Sequence, residues 1–267
     1  MDQAQGGIKV ENLYPLFERN RILKKELMWA LRDYAFANIQ LEYQDFSDGI
    51  IKGCDIKVRE KELAVSRGIV KYGGFVYLIT EEMTVTYAPE EQLKILKMKM
   101  ETDKKSEDFI AYRVTLFLDD NPVKGKGELE VCRFKLQHGS GLRNDYKDFE
   151  DMSTEFDTVN VIEADWSSIS GKTLSPKVTG YFAEQVLAAE FSQAEDINFA
   201  YLCLNHPGAV NRRVIENYVE RRLADSRAAC GGNPDIFHRM VLILHEIRTG
   251  SSMNTGQGMR RRQIVVD

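Results

Sequence analysis

Histidine is the side chain that most readily moves protons near neutral pH, and the chain has four: His138, His206, His238 and His245. His138 follows a strand-like run and precedes Gly139, with no partner motif beside it. His206 lies in Asn205-His206-Pro207-Gly208, a helix-ending turn where an imidazole interacts favourably with the last carbonyls. His238 and His245 share a helical face but stand two turns apart, whereas a helix-borne zinc site wants i and i+4. The histidines therefore predict neither a metal centre nor a proton-transfer pair.

Carboxylates give a similar reading. Glu81-Glu82, Glu90-Glu91 and Asp119-Asp120 fall at turns and strand ends, where solvated charge is the ordinary state. The cluster Asp145, Asp148, Glu150 and Asp151 lacks the central glycine and terminal glutamate of a calcium loop, which leaves at most a weak cation site. Cys54, Cys132, Cys203 and Cys230 form no C-x-x-C pair and sit among apolar or small neighbours, as buried free thiols in a reducing compartment would. No G-x-x-x-x-G-K-[ST], G-x-G-x-x-G or G-x-S-x-G occurs, so nucleotide and hydrolase chemistry lack their usual anchors. These residues predict no catalytic group, no cofactor and no metal.

Composition narrows the class further. The 267 residues are 43% hydrophobic and 29% charged, an ordinary globular balance able to bury a core. A net charge of −5 argues against a general polyanion binder. The cationic clusters are Arg260–Arg262, in a Gly, Ser, Asn and Gln-rich stretch read as a flexible tail, and the pairs Arg212-Arg213 and Arg221-Arg222 on helices. Met1–Gly7 has neither a basic nor an apolar region, and no window approaches the length of a membrane span, so synthesis without export is expected.

The elements that must carry these residues change period along the chain. Between Asn20 and Leu41 apolar residues recur every three or four positions, predicting an amphipathic helix with Trp29 and Phe36 off its main stripe. After Asp48-Gly49 the period falls to two, with strands expected at Ile50–Val58, Glu62–Ser66, Gly68–Lys71, Phe75–Thr80 and Met83–Tyr87, and a Gly73-Gly74 hairpin turn. Leu96, Met98 and Met100 alternate with Lys97, Lys99 and Glu101, predicting a long hairpin with one wet face that returns through Ile110–Leu118. In Glu128–Gln137 the alternation slips by one residue, which places a β-bulge near Val131-Cys132. Gly139–Lys172 keeps no period but carries aromatics, as a packed linker would. Ser175-Pro176 then caps a helix over Lys177–Glu190, followed by helices over Gln193–Leu204, Asn211–Leu223 and Asn233–Ile247.

The expected fold is α+β: an N-terminal helix, an antiparallel β-rich domain and a C-terminal helical bundle. The expected divisions are a segment and helix over 1–45, a β domain over 46–138, a structured linker over 139–174, a helical domain over 175–248 and a flexible tail over 249–267.

One stretch reaches beyond generic folding grammar. Asp48-Gly49-Ile50-Ile51-Lys52-Gly53-Cys54-Asp55-Ile56-Lys57-Val58, followed by Leu63-Ala64-Val65-Ser66-Arg67-Gly68-Ile69-Val70 and the Gly73-Gly74 turn, resembles the β-modules of phage tail-fibre and baseplate-associated proteins. The resemblance spans about 30 residues and brings no catalytic residues with it. It implies a non-enzymatic structural or adaptor protein of a phage tail or tail-like contractile particle, made in the bacterial cytoplasm and then built into the particle. Its partners would be other tail or baseplate subunits and further copies of itself. The chain departs from a long receptor-binding fibre in having no repetitive shaft and in ending on a helical bundle. An enzyme with unrecognised residues and a nucleic-acid-associated protein are the alternatives.

Contact surface is expected at the N-terminus. Ile8, Val10, Leu13, Tyr14, Leu16 and Phe17 precede the first regular helix, where a monomer has little reason to expose them. Either they pack on the chain's own sheet or they reach a neighbour, and in the latter case Tyr14, Phe17 and Trp29 are the expected partner-binding anchors.

Overall fold

The computed structural model describes residues 22, 24–104, 110–169, 171–223 and 231–250. Tyr14, Phe17, Cys230 and Arg260–Arg262 lie outside them. The described chain is α+β, as its change of period predicts, with an N-terminal helix, mostly antiparallel sheets and C-terminal helices.

Helix α1 (Lys25–Glu42) leads into a five-strand run: β1 (Gly49–Gly53), β2 (Ile56–Val58), β3 (Glu62–Val65), β4 (Gly68–Tyr72) and β5 (Phe75–Ile79). After β6 (Met83–Thr86) come the long strands β7 (Lys94–Lys104) and β8 (Ile110–Asp119), and then β9 (Glu128–Phe134). Short strands β10 (Trp166–Ser168) and β11 (Gly171–Thr173) precede the helices α2 (Pro176–Ala188), α3 (Ala194–Asn205), α4 (Arg212–Leu223) and α5 (Asn233–Thr249). Among the described residues the strands form three sheets, ordered β11-β10-β1-β4-β5, β2-β3-β6 and β8-β7-β9.

The single strand expected over Ile50–Val58 is two strands in different sheets. Its break is dictated by backbone conformation: Gly53 (φ 69°) and Cys54 (φ 58°) both adopt the left-handed region, which turns the chain out of the first sheet and into the second. The neighbouring chain bends at the same place. β1 pairs with β4 and β2 with β3, so Arg67-Gly68 crosses beside Gly53-Cys54, and the Cys54 N–H donates to the Arg67 carbonyl at 3.2 Å. A Cβ on Gly53 would lie 2.2 Å from that carbonyl oxygen, so the corner admits only glycine there.

The slip in β9 is a bulge, as its broken alternation predicts. Leu96 faces Cys132 and Lys97 faces Glu130, leaving Val131 as the extra residue. The wet face expected of β7 is not uniformly wet, because Lys97 is fully buried. Its ammonium contacts Asp119 at 2.6 Å, Glu128 at 3.2 Å and the Val123 carbonyl at 2.9 Å. Burial alone would depress this ammonium, but the hydrogen bonds and charges of the two carboxylates outweigh it and hold the pKa above the ordinary lysine range.

The aperiodic segment after Gly139 contributes β10, which pairs in parallel with β1 through Ile50 and Trp166, and β11 beyond it. At this junction Asp165 is nearly completely buried. It accepts from Lys124 Nζ and Lys172 Nζ at 2.9 and 2.6 Å and from the Glu130 N–H at 2.8 Å.

The helices start where capping chemistry starts them. Ser175 accepts the Lys177 N–H at 3.2 Å with Pro176 at the first helical position, and Gln193 and Asp196 form a reciprocal capping box on α3. Gly250, at φ 65°, closes α5 with a left-handed residue. Apolar side chains run without interruption from the sheets into the helices. Phe149 stacks on Phe237 with ring centroids 4.7 Å apart, and Phe199 on Tyr218 at 4.0 Å.

Candidate interaction surface

Helix α1 buries none of its residues, although a surface helix ordinarily hides one apolar stripe. Trp29 is 49% exposed, Tyr34 56% and Leu41 64%, with Met28, Leu31 and Phe36 comparably open. The Lys25 ammonium lies 5.1 Å from the Trp29 ring, a cation–π contact that leaves the indole accessible. Of the three expected anchors, Trp29 is therefore presented to solvent, while Tyr14 and Phe17 lie outside the described residues.

This exposed helix is nevertheless firmly attached at one end. The buried Lys71 of β4 donates from Nζ to the carbonyls of Tyr43, Gln44 and Phe46 at 2.8, 2.7 and 2.7 Å, so one ammonium satisfies the acceptors just beyond the C-terminus of α1. Phe36 and Ile39 turn toward β5 and form one wall of a groove of about 380 Å³. Its other walls include Tyr77 and Ile79 of β5 and Tyr112 and Val114 of β8. Phe75 stacks on Tyr112 with centroids 3.8 Å apart, tying the edge of the first sheet to the edge of the third. The result is an apolar surface on a helix clamped at its base, beside β5, the edge strand of the first sheet.

The acidic cluster and His206 hold local structure. Arg143 grips Asp151 through both terminal nitrogens at 2.6 and 2.7 Å and holds its carboxyl well below the usual range, while the Asp148 side chain accepts the Asp151 N–H. That pairing makes the acidic cluster a hydrogen-bonded loop. His206 accepts the Gly208 N–H through Nδ1 at 3.2 Å, closing the turn after α3. His238 lines a shallow groove with Arg133, whose guanidinium is committed to Glu130 at 2.6 and 2.7 Å. Among the described residues, no group of three or more His, Cys, Asp or Glu side chains is gathered as a metal site. No helix among them is long and apolar enough to cross a membrane.

Two of the four helical arginines considered for nucleic acid are committed inside the bundle. Arg222 bridges Asp196 at 3.0 Å and Glu246 at 2.8 Å, and Asp196 also accepts the Tyr218 hydroxyl at 2.8 Å. Burial, together with the Asp196 charge, pushes that hydroxyl far above its ordinary pKa. Arg212 contacts Glu216 at 2.7 Å and Asn233 at 2.9 Å.

Sequence reasoning found the helix and Trp29 but missed Lys71, which reads as one more polar residue in an alternating strand. A lysine among β-residues carries no local mark of the three carbonyls it will meet.

No protein-family model matches the chain, and no curated protein matches it. Solved structures similar to it include a chain of the type VI secretion system TssK–TssF–TssG baseplate subcomplex, at TM-score 0.43 and 8% identity, covering 88% of this chain and 100% of that one. A crystal structure of TssK gives TM-score 0.39 at 8% identity over 91% of this chain and 70% of that one. A baseplate complex from the type VI secretion system gives 0.40 at 8% identity over 91% and 71%.

Proposed function

We propose that the protein is a non-enzymatic structural or adaptor subunit of a phage tail or phage-tail-like contractile particle, acting at the baseplate or fibre attachment through protein–protein contacts. The observation that carries this reading is α1, an anchored helix of 18 residues with no buried side chain and six large apolar ones exposed. An apolar helix is stable in water chiefly through what covers it, so such a surface fits a subunit completed by its neighbours. The particle class rests on the resemblance of residues 48–78, which form strands β1–β5, divided between the first two sheets. A non-catalytic role is supported by the engagement of the acidic loop, Arg133, Arg212 and Arg222 in ion pairs that hold turns and helices. In this reading Tyr14, Phe17 and Trp29 are the anchors, since interface energy concentrates in a few buried aromatics.

The test is made in cells that produce the particle. Sedimentation of a native lysate should carry the protein into high-mass tail-like assemblies. Replacing Tyr14, Phe17 and Trp29 with Ser should release it to the supernatant with its melting curve unchanged. A wild-type protein found only in the supernatant, or a triple variant that sediments normally, overturns the proposal.

A further inference from the structure

Helix α1 carries a second pattern, distinct from the side that meets the sheet. Lys24, Leu27, Leu31, Tyr34, Asn38 and Leu41 follow one another at alternating spacings of three and four, the a and d positions of a heptad. At 100° per residue the five from Leu27 to Leu41 fall on one stripe with Lys24 at its N-cap end, while Phe36 and Ile39, which face β5, fall on the opposite side. The helix thus meets its own sheet with one face and directs a coiled-coil seam away from it. Leu31, Tyr34, Asn38 and Leu41 are all exposed and Leu27 is half-buried.

The polarity of the seam selects its occupant. Against an apolar surface, the Asn38 amide would be buried without partners, which is costly. Against another α1 in parallel and in register, Asn38 meets Asn38, and each amide can donate to and accept from the other. An antiparallel pair would set Asn38 against Leu27 and lose that match. A lone asparagine at an a position is a device for fixing register in parallel coils. Lys24, the other polar a residue, lies at the helix end, where its ammonium can reach water.

We infer that α1 pairs in parallel with α1 of further copies of this chain through the Leu27, Leu31, Tyr34, Asn38 and Leu41 seam. The inference rests on the reading of α1 as a contact surface, and it names further copies of this chain as what covers the seam. Since 18 residues span only about 27 Å, the contact lies at the small end of stable interfaces, and the measured mass should rise with concentration.

The experiment uses the purified full chain, with no particle present. Sedimentation equilibrium over a concentration series up to tens of micromolar should give a mass that climbs above the 30.6 kDa of one chain toward twice that mass or a higher whole-number multiple. The Leu31→Asp, Tyr34→Asp variant should run as a monomer with an unchanged circular dichroism signal from the body, and Trp29→Ser should self-associate like wild type. Independently, Leu41→Cys should form an oxidised covalent dimer that wild type does not, because parallel in-register helices bring the two positions together. A monomeric wild type, a self-associating seam variant, or a Leu41→Cys chain that crosslinks only when Lys24→Cys is added would each overturn the inference. Failure here leaves the particle test above unaffected, and a chain that self-associates yet never sediments with a particle would sink that reading instead.

Discussion

Lys71 Nζ donates to the Tyr43 carbonyl at 2.8 Å, joining the middle of a buried strand to the end of an exposed helix. With Gln44 and Phe46 as its other acceptors, this ammonium fixes where α1 leaves the body. Lys71→Met keeps the apolar stem but abandons three carbonyls. A charged donor contributes about 1.5–3 kcal/mol per hydrogen bond when buried, and these acceptors are only partly covered. The expected loss is therefore about 2–3 kcal/mol in denaturant unfolding, with a loss of helical signal; an unchanged midpoint would show that α1 does not depend on this clamp.

Lys97 offers a comparison from inside a sheet. Lys97→Met leaves Glu128 and the half-open Asp119 without their cation. Breaking a fully buried pair costs about 3–5 kcal/mol, and discounting for the exposure of Asp119 places the expected loss at about 2–3 kcal/mol. Replacing Asp119 and Glu128 by Leu in the same chain should restore part of it, because no orphaned charge then remains.

Acid should act through Asp151 and Asp119. Arg143 and Lys97, respectively, hold these carboxyls below their ordinary value of 3.8. A carboxyl whose folded pKa is depressed contributes stability above its unfolded value and loses it as pH falls toward the folded value. Stability should thus be level near neutrality and decline below about pH 4. Asp151→Asn should lower the neutral plateau and flatten the acid slope; a slope identical to wild type would remove Asp151 from the account.

Cys54, Cys132 and Cys203 should be silent in the native state. Burial pushes Cys54 and Cys203 up to about 12, and Cys132 higher still, so thiolate is scarce at neutral pH. A thiol reagent should modify these three only after unfolding. Rapid native labelling of Cys54 would contradict the closed corner at Gly53-Cys54.

Much of this architecture was legible in the chain, and what was not has a common cause. The helices announced themselves through caps such as Ser175-Pro176 and through a 3.6-residue period, and the bulge at Val131 through broken alternation, because each signal lies within a few residues. The break at Cys54 stayed hidden because non-glycine residues rarely adopt a positive φ and nothing in Gly53-Cys54-Asp55 marks it. Pairings between distant residues were equally silent: Ile50 with Trp166, Lys97 with Asp119 and Glu128, Lys71 with Tyr43. For the contact surface, period and aromatic content exposed α1 and Trp29, whereas the clamp that makes the helix a fixed presentation emerged only with the fold.

The central claim is that α1 is a contact element completed by other subunits of a tail-like particle. Its most direct test is the fraction of protein sedimenting with the particle when Trp29 alone is changed to Ser, measured beside the melting curve of the purified variant. The account predicts at least a tenfold fall in the bound fraction, corresponding to at least about 1.4 kcal/mol of lost contact, with the melting curve unmoved because Trp29, like the rest of α1, is not buried. Full incorporation of the variant, or a fall matched by unfolding, would contradict it.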